Sequence, residues 1–201
     1  MRITVFGASG RTGRRVVEQG LERGHEITAF VRDASRFDAS HDRLTVVEGD
    51  ARDPDAHAVA AAVRGSDAII SVLALKKPED EPGYSEATRT IVEAAGREGV
   101  QRIVVTANNE VFGDDEVTGE FAVHAREHRR NRETLKASGL DRTIVAAGWV
   151  VDEPGTGSYQ AVVDAKAAKR KIAPADFATA VLDALERGDW IGHIVGVTNA
   201  T

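Results

Sequence analysis

Apolar and polar positions along the chain follow two periods. Short apolar runs of strand length occur at residues 3–6, 27–31, 44–47, 68–75, 103–106, 144–147 and 194–197. Runs this short, bounded by glycine or polar residues, predict buried strands. The segments between them carry apolar residues at helical spacing. Residues 11–23 place Val16, Val17 and Leu21 on one face and stop at Gly24. Residues 55–63 are alanine-rich and close at Gly65, and residues 85–97 align Ile91, Val92 and Ala95. Residues 121–137 predict a strongly charged helix ended by Ser138-Gly139, and 175–185 a last helix. Residues 76–83 and 148–157 predict loops, the second glycine- and proline-rich and flexible.

Strand alternating with helix predicts a parallel sheet covered on both faces. Right-handed crossovers then give a doubly wound, Rossmann-like α/β fold. No repeat or linker divides the chain. It reads as a single domain over 1–201, with a small substrate-side region at about 148–201.

Composition narrows the class. With 42% apolar and 29% charged residues in 201, the chain has the balance of a globular protein with a sizeable core. A net charge of -6 argues against nucleic acid and against anionic membranes as partners. The absence of cysteine excludes disulfides, thiolate metal sites and a cysteine nucleophile. The N-terminus runs into a strand without a signal-peptide core, which with the cysteine count fits the cytoplasm.

Candidate chemistry concentrates at Gly7-Ala8-Ser9-Gly10-Arg11-Thr12-Gly13, between the first strand and the first helix. Glycines at such a turn allow close backbone approach to a pyrophosphate and close packing of helix on strand. The helix directs its free N–H groups and positive dipole end at the phosphates. Ser9, Arg11 and Thr12 supply further donors. An NAD-specific site places an acid at the end of the second strand, for the ribose hydroxyls. This chain has Arg32 there, followed by Asp33 and Arg36. A guanidinium binds a 2′-phosphate in a forked, charge-assisted way, so NADP(H) is expected over NAD(H). Asp33 remains able to reach a ribose hydroxyl, and Arg32 and Arg36 alternatively read as solvated charges. Asp50 and Ala51 follow the third strand, toward the adenine. Ser71, Val72 and Leu73 end the fourth, beside the middle of the cofactor.

These residues stand in stretches similar to the atypical short-chain dehydrogenase/reductases. The chain resembles their NAD(P)H-binding, NmrA-like group, which includes biliverdin reductase B, also called flavin reductase. The matching stretches are VFGASGRTG, ITAFVRDASRF, VEGDARD, SEATRTIVEAAGREGVQRIVV, LKASGLDRTIV, GTGSY and APADFATAVLDAL. They span nearly the whole chain. The resemblance implies that Arg32 and Arg36 contact the 2′-phosphate and that 71–73 border the nicotinamide half. It places Thr106 near the nicotinamide and Asn108 where relatives often carry a serine or threonine. Ala146-Ala147-Gly148 stands where relatives often read RPG. It also implies that Arg132 and Trp149 take the places of two pocket histidines.

The Tyr-x-x-x-Lys pair of a standard short-chain dehydrogenase is absent, since Tyr84 is followed at that spacing by Thr88 and Tyr159 by Val163. Asn108 is therefore the candidate catalytic residue, orienting the acceptor or the nicotinamide, with Asn109 beside it. Trp149 and Tyr159 read either as core anchors or as walls of an aromatic substrate pocket. His124 and His128 have metal-ligand spacing on a helix, but no third ligand or HExxH accompanies them, so both read as surface residues and no metal is expected. Glu127 and Glu133 among the arginines of 126–132 make that run a solvated face.

Two functions emerge. One is an NADPH-dependent reductase of a small, conjugated acceptor such as a flavin or quinone. The other is a non-catalytic dinucleotide-binding redox sensor of the NmrA-like type, which would take a protein partner.

Overall fold

A computed structural model describes residues 1–53, 56–74, 80–113, 117–169 and 171–200. The strands are β1 (Arg2–Phe6), β2 (Glu26–Val31), β3 (Leu44–Glu48), β4 (Ala68–Ser71), β5 (Arg102–Asn108), β6 (Asp141–Ala147), β7 (Trp149–Val150), β8 (Tyr159–Val163), β9 (Lys171–Ile172) and β10 (Ile194–Asn199). The α-helices are α1 (Arg11–Glu22), α2 (His57–Val63), α3 (Gly83–Glu98), α4 (Ala122–Ala137) and α5 (Pro174–Glu186). Eight strands form one sheet in the order β3-β2-β1-β4-β5-β6-β10-β8, and β7 pairs with β9 separately. All neighbours in the large sheet are parallel except β8, which runs antiparallel to β10. This is the doubly wound Rossmann-like arrangement in a single domain.

The period of two along each strand sorts the core into halves. Ile3, Val5, Ile27, Ala29, Val104 and Val145 face α1 and α5. Phe6, Phe30, Ile69, Ile103, Val105 and Ile144 face the helices α2, α3 and α4. Because both faces are covered, the central strands are apolar throughout, which is why they stand out as continuous runs.

Three departures from the sequence expectations bear on the site. The apolar run at 68–75 leaves the sheet after Ser71, so Val72–Leu73 become loop; Leu75 lies outside the described residues. The same is true of Asp55, the expected start of the second helix, and of residues 76–79 of the expected loop. The segment 148–157 is anchored. The Asp176 carboxylate, buried at the start of α5, accepts from Thr156 N at 2.8 Å, Thr156 Oγ1 at 3.0 Å and Gly157 N at 2.9 Å, and also from the Asn199 amide. Glycine and proline composition signals irregular backbone, but a partner about twenty residues away fixes its end.

The charged helix α4 is the third. It is not solvated all round: Glu127, His128, Asn131 and Arg132 are buried on it. Glu127 accepts from Ser85 N and Ser85 Oγ, both at 2.9 Å, and pairs with Arg130 at 2.9 Å. Pro82, the cap of α3, provides no side-chain bond, so a carboxylate from α4 meets the exposed N–H at the start of α3 instead.

Candidate cofactor and acceptor site

The chain order reverses at β1, which lies between β2 and β4. In open parallel sheets a crevice opens beyond the carboxyl ends of the strands at such a point. Here it is a cavity of about 1130 Å³.

The glycine loop forms one wall. Gly10 N donates to Gly7 O at 3.0 Å, and Arg14 N to Gly10 O at 2.9 Å, so the turn passes directly into α1. A Cβ on Gly13 would lie 2.1 Å from Gly7 O, and one on Gly7 would lie 3.0 Å from the Val72 backbone. The turn therefore sits flush against both α1 and the exit of β4, and only glycine permits this. Gly10 caps α1 without a side-chain bond, which leaves the first N–H groups of the helix at the cavity wall. Gly7, Ser9, Gly10, Arg11, Thr12 and Gly13 all line the cavity. This cradle fits a pyrophosphate.

Beyond β2, Arg32 lines the cavity while Asp33 does not. Asp33 is turned back on its own chain, where Oδ1 accepts from Ser35 N at 3.1 Å and Ser35 Oγ at 2.6 Å. Asp50 and Ala51 line the wall after β3. Arg52 grips Asp50 through both oxygens and holds its carboxyl below the usual carboxylate range, with Arg32 adding to the effect. Both acids thus already hold partners within the protein, Asp33 through Oδ1 and Asp50 through both oxygens. Arg36 is not among the lining residues; its carbonyl accepts from Arg14 at 2.7 Å.

A family model described as NAD(P)H-binding matches residues 7–188. The chain belongs to this NAD(P)H-binding family. A 3-beta-hydroxysteroid dehydrogenase from Mycolicibacterium neoaurum is 37% identical over 133 residues, 59% of this chain and 36% of that protein. The chain thus spans only about a third of that relative. A protein from Streptococcus pneumoniae proposed to be an NADH-flavin reductase superposes with a TM-score of 0.81 at 22% identity, covering 99% of each chain. A short-chain dehydrogenase/reductase from Veillonella parvula in complex with NADP gives 0.82 at 20% identity, covering 99% of this chain and 94% of the other. At these identities the two structures establish the shared fold.

Within this NAD(P)H-binding domain, the far end of the cavity holds Val72, Leu73, Thr106, Asn108, Asn109 and Trp149. Ser71 and Tyr159, also expected there, are not lining residues. Ser71 is buried with an unpartnered hydroxyl, and its carbonyl accepts from Thr106 Oγ1 at 3.4 Å. Tyr159 lies on β8 and donates to Asp183 at 2.6 Å, packing against the core. Of its two readings, the structural anchor is the one its contacts match. Asn108 Oδ1 accepts from Glu110 N at 3.0 Å and caps the turn after β5. Asn109 Oδ1 is buried without a partner.

Sequence reasoning missed several lining residues, among them Tyr84, Phe121, His128 and Lys166. The implied place of Arg132 is corrected: its side chain bonds Val111 O at 2.9 Å and Glu133, while His128, one turn earlier, faces the cavity. His128 is likewise corrected from surface to buried residue. Tyr84 and His128 meet edge to face, with centroids 5.2 Å apart. Tyr84 donates to Thr106 O at 2.8 Å, and burial raises its pKa. Burial pushes His128 down to about 3, with a smaller contribution from His124. The i, i+4 spacing on α4 was the available signal, but without a third ligand it reads as two surface residues rather than a buried one. Among the described residues no group of three or more His, Asp or Glu could hold a metal ion, and no helix is long and apolar enough to cross a membrane.

The buried His128 makes stability depend on pH. Below its ordinary value of 6.5 the unfolded chain gains a proton that the folded chain refuses until about 3. Stability contributed at neutral pH is therefore lost as pH falls through this window, by up to about 1.4 kcal/mol per pH unit. Urea unfolding at several pH values between 7 and 4 should show the decline, and His128→Phe should make it shallower. An equally steep decline in the variant would assign the effect to other groups.

Proposed function

We propose that the protein is an NADPH-dependent reductase of a flat, conjugated acceptor such as a flavin or a quinone. The observation that carries the acceptor class is the aromatic pair at the cavity mouth. Phe121 and Trp149 stand edge to face at 5.9 Å, and both are exposed. Exposed aromatic faces beside a cofactor cavity offer a stacking surface for a planar ring. The acceptor side then comprises Trp149 and the 166–168 segment, both within the region expected at 148–201, together with Phe121, which precedes it.

NADPH, when bound, supplies a hydride. Protein groups at this end orient the reactants. The Asn108 amide, with its oxygen held by Glu110 N, keeps its N–H groups for the nicotinamide carboxamide or the acceptor. The Tyr84 hydroxyl is committed to Thr106 O, and His128 is neutral at pH 7, so neither delivers a proton. A ketone develops charge on one oxygen and needs a placed donor, worth about 10²–10⁴-fold. A conjugated ring spreads the charge and takes its proton from water at the open mouth, so orientation suffices.

Preference for NADPH over NADH rests on Arg32, open to the cavity, with Asp33 and Asp50 both engaged elsewhere. The test follows NADPH absorbance with FMN, a naphthoquinone and a simple ketone. The first two should turn over at least about 100-fold faster than the ketone. Trp149→Ala should raise the acceptor KM about tenfold, the scale of one aromatic contact. Faster ketone turnover would sink the acceptor class. Firm NADPH binding with no turnover of any acceptor would favour the redox sensor.

A further inference from the structure

Besides Arg11, Arg32 and Arg52 on the side of the glycine loop and β2–β3, the cavity carries a cation at its other end. Lys166 lines it from the segment that follows β8. Arg32 stands beyond β2, whereas the Lys166 segment packs on β10. Five strand spacings of roughly 4.8 Å separate β2 from β10, on the order of 20 Å. One cation cannot substitute for the other.

The position of Lys166 is fixed by its neighbours. Gly196 on β10 has no side chain, and a Cβ there would lie 2.2 Å from Ala165 O and 2.8 Å from Ala167 N. The backbone of 165–167 thus rests directly on the strand. Ala167 is buried, and it lines the cavity together with Ala168. Asp164, at the start of the segment, lies 2.7 Å from His193 Nδ1 and accepts from Ile194 N at 3.1 Å. That acid is occupied locally. Of the acids lining the cavity, Asp50 is paired with Arg52 and Asp80 also acts on Arg52, which leaves Glu110 on the turn after β5. His124 also lines the cavity.

We propose that Lys166 selects acceptors whose conjugated ring carries an anionic substituent, a phosphate, carboxylate or sulfonate, over uncharged analogues. This rests on the reductase reading above. With the ring against Trp149, the substituent extends to the Lys166 ammonium. The mouth is open to water, so the ion pair is screened and the gain is modest, about fivefold.

Riboflavin and FMN share a ring and differ by one phosphate, which isolates the charge. Flavin fluorescence titrations use the NADP⁺-saturated protein at about 50 mM and about 1 M salt. At low salt FMN should bind about fivefold more tightly than riboflavin, and high salt should reduce the ratio toward one. Lys166→Gln should bring the ratio to one at low salt, and Lys166→Arg should restore it. Equal affinities in the wild type, or a preference that persists in Lys166→Gln, would overturn the assignment while leaving the reductase reading standing. A fall in NADP⁺ affinity in Lys166→Gln would place the lysine in the cofactor site and overturn it as well. Binding of neither flavin would overturn both.

Discussion

Gly13→Ala is expected to weaken NADPH binding by more than about 100-fold, equivalent to about 2.8 kcal/mol. The added Cβ would lie 2.1 Å from Gly7 O, 2.8 Å from Gly7 C and 2.9 Å from Ala8 Cα. All three are backbone atoms, so no rotamer change relieves the clash. Either α1 moves away from β1 or the turn between them reshapes, and both displace the N–H groups that face the phosphates. Overpacking of this kind typically also costs stability by about 1–3 kcal/mol. Gly10 provides the contrast. Its backbone is extended, and its Cβ would meet only Gly7 O, at 3.2 Å. Gly10→Val should therefore fold with little loss, yet place a branched side chain where the pyrophosphate lies and prevent binding. Isothermal titration with NADPH and circular dichroism on both variants check the pair. Gly13→Ala binding within threefold of the wild type would show that the turn relaxes without cost to the cradle.

The glycine loop was legible because its constraint is steric and local: the residue type follows from what the backbone touches. The sheet was legible for a related reason, since strands buried on both faces must be apolar at every position. Parts of the site escaped where the deciding partner is distant in sequence. Arginine and glutamate at 126–133 look solvated when read as a helix alone, yet Glu127 is buried because Ser85 of α3 needs an acceptor. His128 is buried against the Tyr84 ring of α3, a neighbour that no spacing reveals. Tyr159 sits next to a glycine-rich segment, as pocket aromatics do, but Asp183 takes its hydroxyl from a helix that follows it by more than a turn of chain. The short strands β7 and β9 have two residues each, too few for a period to register. Lys166 was silent because its place depends on Gly196, a glycine with no turn signal around it.

Arg32→Ala is expected to raise the Kd for NADPH about 10- to 100-fold and to change that for NADH less than about twofold, the scale of one or two hydrogen bonds to a charged group. The argument starts from the end of β2, where an acid would hold the ribose diol of NADH. The acids nearby are both spoken for: Asp33 caps the turn that follows it through Ser35, and Asp50 is clasped by Arg52. An unmodified ribose would have to compete with these internal partners for either carboxylate. A 2′-phosphate finds the Arg32 guanidinium at the cavity wall, with Arg52 on the neighbouring stretch. Losing Arg32 removes an interaction that only the phosphate makes, so the two cofactors should converge in affinity. Raising the salt should erode the NADPH advantage of the wild type and leave the variant nearly unaffected, because the contact is between charges at a solvent-open site. Fluorescence titration of both proteins with both cofactors decides it. Equal affinity of the wild type for NADPH and NADH, or equal losses of both in Arg32→Ala, would mean that Arg32 does not read the 2′-phosphate.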